Sequence, residues 1–520
     1  MKSPDGRLKP DWYDTATIPT YPPPPAGEMR CDVCVVGAGI SGLTAAYHLA
    51  KAGKSVVVLD EGPIGSGQTG RTTAHLASYC DDQFTELERL HGLPKAKLWH
   101  ESNAAAIDAI ERISHDEQID CDFHRLDAYL FLAPADGVKT LNAEFDACKR
   151  VGLTDVEKID RMHAPGFAEH GPALRIGNQG RFQPLKYLVG LAKAVERYGG
   201  RIYTGCRVKT TQGRDPTDPA AKCVAFLDQN HGTVVCDAVV AAANVPAVVE
   251  WMWIYTKQAP YRSYVVGLRV HKGSVGDHLY WDTGDPYKYV RLESARPYEN
   301  FDVLIVGGAD HKTGQPVTDY HEPFAELERW AREKYPHVQD VLYRWSGQVN
   351  EPEDHVAFIG QAPLGEKQQG LYVITGDSGQ GMTHGTLGGM LVADQILGKP
   401  NPWGALYDPG RFKLTTDYVK ENLNVAKEYL VDYLTPGEVK SVDDVKPGSG
   451  ALMRSGLTKV AVYRDDLGQV HKCSAICTHL QCVVHWNDAE KSWDCPCHGS
   501  RFDPKGKVVQ GPAVDDLAKS

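Results

Sequence analysis

Residues 31–62, CDVCVVGAGISGLTAAYHLAKAGKSVVVLDEG, constrain the fold more than any other stretch of the chain. They read as a buried strand, a glycine turn, a helix and a second buried strand. Gly37, Gly39 and Gly42 form G-x-G-x-x-G directly after the apolar CVV, with Ala46 four residues further on. In such a unit the first glycine permits the tight turn and the second lets the backbone approach a pyrophosphate. The third packs the helix against the sheet, leaving the helix N-terminus facing negative charge. Asp60 ends the second strand where an acid can accept hydrogen bonds from a ribose hydroxyl, and Glu61 stands beside it. A lone glycine triplet would say little. Strand, turn, helix, strand and acid together specify a dinucleotide site in an α/β domain.

At 520 residues the chain has room for two to four units of ordinary size. Its 42% hydrophobic and 24% charged residues are those of a packed protein, not a disordered one. The balance of 56 basic against 67 acidic residues gives −11, which argues against general nucleic-acid binding. No run of eighteen apolar residues exists to span a bilayer. The start, MKSPDGRLKPDWYDTATIPTYPPPP, lacks the apolar core of a signal peptide, so a cytoplasmic setting is expected. PPPP at 22–25 suggests that residues 1–30 form an extended arm.

Later segments favour FAD over a nicotinamide. RFQPLKYLVGLAKAVERYGGRIYTGCRVKTT is a helix followed by a strand in which Val208 could meet an adenine through its backbone. VVCDAVVAAAN, around Asp237, resembles the strand that closes such a domain. GLYVITGDSGQGMTHGTLGGMLVADQIL at 370–397 is a strand, a glycine-rich turn and another helix, whose N-terminus can stabilise charge on a reduced flavin. Gly376, Gly381, Met382 and Thr383 in that turn are candidate flavin contacts.

Together these segments resemble the D-amino-acid oxidase, glycine oxidase and sarcosine oxidase superfamily over roughly 31–410. The resemblance implies hydride transfer from the carbon beside an amine to FAD, under a roof formed by an inserted mixed sheet. FAD-binding segments are then expected near 31–125, 175–260 and 345–410, with roof segments near 126–174 and 261–344. The superfamily's paired carboxylate-binding residues have no clear match, so amino-acid specificity does not transfer. Within the roof, Arg262, Tyr289 and Arg291 fall on expected strands, and LIVGGADHKTG holds His311 just past a diglycine. Each could bind or deprotonate a substrate; each could equally be a surface or core residue on an alternating strand.

GQTGRTTAHLAS at 67–78 follows the second strand, where the superfamily's chain passes the flavin ring. Arg71, Thr72 and His75 are candidate flavin contacts there. The segment resembles the T-T-x-H by which dimethylglycine and sarcosine dehydrogenases bond a histidine to flavin. A non-covalent contact or a loop histidine are the other readings of His75. Cys31 and Cys34 form C-x-x-C, but they lie on a buried strand with no second pair, so apolar filling is expected.

Five of the thirteen cysteines, Cys473, Cys477, Cys482, Cys495 and Cys497, crowd into the tail, which suggests a metal site. RFKLTTDYVKENLNVAKEYLVDYL at 411–434 reads as a connecting amphipathic helix with Val419, Leu423, Ala426 and Leu430 on one stripe. TPGEV then breaks it, and 435–520 read as short strands and turns, a small all-β domain. Cys477-x-His479 and Cys495-x-x-His498 flank a hairpin in that domain. Two thiolates and two imidazoles suit a [2Fe-2S] cluster or a tetrahedral zinc, but the first pair is too close for an ordinary zinc knuckle. The pattern resembles the Rieske family. That resemblance implies a disulfide between Cys482 and Cys497, a sulfur-directed hydrogen bond from Ser500, and a shielding loop at Gly511–Pro512. Phe502 stands where respiratory members often carry a tyrosine, so one donor to the cluster is absent and a lower potential is implied. Cys473 lies outside the pattern.

The two cofactors suggest a flavin dehydrogenase for an amine or amino-acid-like substrate, with the Rieske centre passing electrons to an external acceptor, whether protein, quinone or O₂. An O₂-using oxidase with a structural Rieske module and a reductase serving a partner protein are the alternatives. No second dinucleotide fingerprint for NAD(P)H supports the reductase. A Rieske oxygenase is disfavoured because none of the twenty histidines are spaced as H-x₃-H or H-x₄-H.

Overall fold

The computed structural model describes residues 8–162, 166–167, 171–228, 231–249, 252–294, 300–315, 319–365, 368–456 and 458–520. Val33–Val36, apolar and buried at every position, pairs in parallel with Val56–Asp60 and with Ala238–Ala241. Leu371–Thr375 and Arg201–Thr204 extend this sheet in parallel on either side, and Phe358–Gln361 closes one edge antiparallel. Runs of Val, Leu and Ala suit such a sheet because both of its faces are covered. The helix Ile40–Lys51 crosses between the first two strands and packs on Gly381–Ile396. Glycine permits that approach: a Cβ at Gly389 would lie 2.6 Å from Thr44 Cβ.

The roof is a nine-stranded mixed sheet. One end of it is the long antiparallel set Val341–Pro352, Gln258–His271 and Phe301–Lys312. Tyr289–Glu293, Leu279–Asp282, His124–Phe131, Ala173–Arg181 and His75–Leu76 follow in order, so the loop carrying His75 ends on the roof's edge. A smaller sheet joins Glu28–Arg30, Thr233–Cys236, Cys223–Leu227 and Val208–Gln212. The C-terminal segment is all β. Ser449–Ser455, Thr458–Arg464 and Val470–Ser474 form one sheet; His485–Asn487, Ser492–Asp494, Arg501–Phe502 and Val508–Gln510 form another. Trp486, Trp493, Phe502 and Leu517 fill its own core. Among the described residues no helix is long and apolar enough to cross a membrane.

The stretch 82–115 forms two helices, Phe84–His91 and Leu93–Asp116, because Gly92 turns the chain at φ +77°. Two segments differ from the expectation. The N-terminal arm is not simply extended. Trp12, fully buried, opens a helical turn and stacks on the Arg291 guanidinium at 5.2 Å, while Glu28–Arg30 joins a sheet. The helix Thr416–Leu434 faces the other way, with Val419 45% and Leu423 65% exposed. Polar pairs decide its orientation: Glu421 meets Lys312, and Asp432 meets His485 Nε2 at 2.8 Å.

The two cores meet at a buried charge cluster. Glu490, in the turn between Rieske-side strands, accepts from Arg71 Nη1 at 3.1 Å, Arg262 Nη2 at 3.4 Å and Ser346 Oγ at 2.5 Å. Burial alone would raise this carboxyl, but Arg71, Arg262 and Arg501 outweigh it and hold it at about 2. A depressed carboxyl stabilises the fold above its ordinary 4.5, and that contribution is lost only as pH falls toward 2. Glu490→Ala leaves buried arginines facing an uncompensated site and should cost about 3–5 kcal/mol. Thermal unfolding checks this; an unchanged transition would contradict the role given to the cluster.

Candidate active site and metal centre

The glycine turn is steric necessity made visible. Gly37 sits at φ +107°, and a Cβ there would lie 2.5 Å from the Ala242 carbonyl oxygen. A Cβ at Gly42 would meet the Gly37 oxygen at 1.9 Å. Gly39 caps the helix with only Thr69 Oγ1 near its Cβ position, at 3.0 Å. Asp60 clamps the turn: it accepts from Ala38 N–H at 2.6 Å and Gly62 N–H at 2.8 Å. Burial raises its carboxyl to about 7, with those two donors opposing.

A cavity of about 330 Å³ runs from this turn to the underside of the roof. Gly37, Gly39, Asp60, Glu61, Arg71, Thr72, His75, Val208, Gly381, Met382, Thr383 and Tyr289 all line it. Gly42 lies beneath, in the helix, and Gly376 lies outside the lining in a turn at φ +70°. The residues fit a flavin dinucleotide: a glycine cradle, a helix N-terminus, an acid at one end and an aromatic chamber at the other.

His75 is wedged in place. Its Nε2 donates to the Val290 carbonyl at 3.2 Å, so Nδ1 accepts from the Thr73 hydroxyl at 3.1 Å, and its ring stands edge-on to Tyr289. Burial, then the charge of Arg291, holds it at about 3, so it is neutral. Both ring nitrogens are engaged by protein groups. The other three roof candidates lie off the cavity. Arg291 is buried and donates to the Thr73, Ala74 and Phe182 carbonyls while pairing with Glu293, so it positions the His75 loop. Arg262 belongs to the Glu490 cluster. His311 stacks on Tyr264 at 5.4 Å in the packing beside the Rieske-side domain. Placement on a strand left each of these side chains open between the site, the core and the surface.

The metal-ligand candidates converge on two loops. Cys477 and Cys495 are buried, unbridged thiols, and the His479 and His498 rings lie 5.2 Å apart. His479 Nε2 and His498 Nδ1 are buried without a hydrogen-bond partner, and the Ser500 hydroxyl reaches the Cys477 thiol. Cys482 and Cys497 form a disulfide joining the loops. Two thiols and two imidazoles in this setting fit a [2Fe-2S] cluster. Ser500 Oγ also accepts from Ala513 N–H at 3.0 Å, fixing the Gly511–Pro512 loop, while Phe502 is a buried strand residue. Cys473 fills a strand, and Cys34 packs with Cys223 and Cys236 in an apolar core.

Residues 32–395 match the family model described as FAD dependent oxidoreductase, and residues 435–520 match the Rieske [2Fe-2S] domain. The chain belongs to the FAD dependent oxidoreductase family. It carries a C-terminal Rieske domain, and its cofactors are FAD and a [2Fe-2S] cluster. It is 30% identical over 512 residues to protein YhfW of Bacillus subtilis (strain 168), named for a Rieske 2Fe-2S iron-sulfur protein, covering 97% of this chain and 96% of that one. It is 27% identical over 393 residues to gamma-glutamylputrescine oxidoreductase of Escherichia coli (strain K12), covering 71% of this chain and 84% of that one. Among solved structures, glycine oxidase from Geobacillus kaustophilus superposes with a TM-score of 0.61 at 20% identity, covering 74% of this chain and all of that one. At that identity the likeness concerns the fold.

Several site residues escaped the sequence. Asp81, Asp310, Glu351, Trp281 and Tyr287 line the roof end of the cavity, drawn from separate elements with no shared motif. Val508–Gly511, Ala513 and Val514 of the Rieske domain line it as well, held by Arg207 Nη2 donating to Val508 O at 2.9 Å and Lys209 Nζ to Val514 O at 3.0 Å. Tyr255 stands edge-on to both candidate-ligand imidazoles, 4.6 Å from His479 and 5.9 Å from His498. Gly39→Val should push a branched side chain against Thr69 and into the helix mouth. The variant is expected to purify with less than a tenth of the parent's flavin while keeping its iron, and normal flavin content would contradict the cradle.

Proposed function

We propose that the chain is an FAD-dependent dehydrogenase that oxidises an amine or amino-acid-like substrate and passes the electrons through its own Rieske centre to an external acceptor. One observation carries the reading: a single cavity is walled both by the glycine turn and by Val508–Gly511 of the Rieske domain. In this reading residues 31–410 form the oxidoreductase domain, 411–434 the connecting helix and 435–520 the Rieske domain. Gly37, Gly39 and Gly42 hold the pyrophosphate, Asp60 the ribose and Val208 the adenine side, with Met382, Thr383 and His75 near the ring. Cys477, His479, Cys495 and His498 hold the cluster.

Bound FAD supplies a two-electron acceptor and the cluster a one-electron carrier. The substrate loses two electrons and two protons to become an imine, which water hydrolyses to a carbonyl compound and ammonia or a smaller amine. The chain's own part is to exclude water, hold the substrate and connect the centres. Gln348 makes that connection. It lines the cavity, and its Nε2 donates to the Gly499 carbonyl, next to His498, at 3.1 Å. Its own N–H donates to Gln68 Oε1 at 2.7 Å, which holds the bridge in place. The eleven unbridged cysteines suit an electron carrier in the cytoplasm.

His498→Ala should remove the Rieske electron-resonance signal but keep FAD, since His498 does not line the cavity and Arg207 and Lys209 hold the segment that does. An oxidisable amine should still bleach its flavin once under anaerobic conditions. Turnover with a one-electron acceptor should fall at least tenfold. Unchanged turnover would remove the cluster from the route and favour direct use of O₂.

A further inference from the structure

The roof end of the cavity carries an unusual charge. Asp81, Asp310 and Glu351 all line it, one from the loop after His75–Leu76, one from Phe301–Lys312 and one from Val341–Pro352. Only two residues in the whole described lining carry a fixed positive charge, Arg71 and Arg207, and they are ion-paired with Glu490 and Glu61. The nearby cations are also engaged. Lys288, which faces Asp310, pairs with Glu326 at 2.9 Å, and His355, which faces Glu351, pairs with Asp82 at 3.1 Å. An acid-rich wall is therefore left facing the chamber.

The remaining walls are aromatic. Tyr79 stacks on Trp281 at 5.8 Å, and Tyr287 lies 5.5 Å from Tyr289. Tyr287 donates its hydroxyl to Asp81 at 2.7 Å, and Gln380 Nε2 donates to the same carboxyl at 3.0 Å. Asp310 Oδ1 is buried with no hydrogen-bond partner, and so is the Nε1 of Trp281, a side chain only 6% exposed. Orphaned polar atoms on a cavity wall mark a place built for a polar ligand.

From this geometry, and resting on the dehydrogenase reading above, we infer that the substrate chamber recognises an organic cation, an amine bearing its positive charge with no carboxylate beside the carbon to be oxidised. An α-amino acid would bring its carboxylate against Asp81, Asp310 and Glu351 with no uncommitted arginine or lysine in the described lining to receive it. A protonated amine meets the opposite: carboxylates to accept its N–H groups and aromatic faces to receive its charge. The titration of the wall agrees. Burial, reinforced by Asp82, raises Asp81 to about 7, and burial raises Asp310 to about 6. Burial, with Asp82, Asp310 and Asp81 adding repulsion, raises Glu351 well above its ordinary value. These carboxyls crowd together while their nearest cations, Lys288 and His355, are shared with Glu326 and Asp82, and a bound cation would restore their charge.

The test uses the full chain loaded with both cofactors, under anaerobic conditions at fixed ionic strength. It is titrated with n-butylammonium or with butanoate, equal chains of opposite charge, while the flavin absorption is followed. The cation is expected to give a saturable shift or bleaching at concentrations at least tenfold below any response to butanoate. Asp310→Asn and Glu351→Gln, each verified to carry a full complement of flavin, should weaken the cation response at least tenfold. An equal or stronger response to butanoate, no response to either probe, or an undiminished cation response in both variants would overturn the inference. The dehydrogenase reading fails separately: a protein that responds to the cation but never reduces its cluster would retain the chamber assignment and lose the electron route.

Discussion

The architecture turns on one buried carboxylate. Glu490 enters from the Rieske domain and is met by Arg71, from the loop that leads to His75, and by Arg262 and Ser346 from the roof sheet. All three ionic side chains are 1% exposed or less. A charge cannot be buried without partners, so the domains dock only where all of them converge. The same cluster extends through Asn487 and Asp494 to Arg501 within the Rieske core. Two indoles lock the neighbouring loop, Trp345 donating to Arg71 O and Trp12 to Thr72 O. The clamp thus orders the flavin loop and orients the iron–sulfur domain at once.

That constraint explains why the cavity is shared. Once the hairpin carrying Glu490 is fixed, Val508–Gly511 falls against the dinucleotide end and Gly499 against Gln348. Tyr255 then covers the cluster imidazoles from the oxidoreductase side. The two domains are held together by one continuous packing. Its connecting helix, Thr416–Leu434, adds polar ties to both cores and leaves apolar Leu423 and Leu434 at the surface.

What could be read from the sequence was whatever the chemistry places close together along it. The glycine turn, Asp60 and the four candidate cluster ligands are local patterns, because a pyrophosphate cradle and an iron pair each need donors from short loops. The roof was legible as strands but not as a site. The sequence left Arg262, Arg291 and His311 open between substrate-facing, core and surface positions, and the structure sends them into a charge clamp, a loop support and the packing beside Tyr264. Asp81, Asp310 and Glu351 are hundreds of residues apart in part and share a chamber only through sheet topology. The stripe at Val419 and Leu423 misled for a related reason: polar contacts to Lys312 and His485, with Val425 and Tyr433 packed on the C-terminal core, orient that helix.

The central claim is that electrons cross from flavin to cluster inside one chain. The direct measurement is anaerobic rapid mixing with an amine that bleaches the flavin, followed by rapid freezing and electron-resonance detection of the reduced cluster, over a tenfold range of protein concentration. The account predicts that the cluster signal follows flavin bleaching with a rate constant independent of protein concentration. A cluster that stays oxidised beside a reduced flavin, or a rate that rises in proportion to concentration, would contradict it.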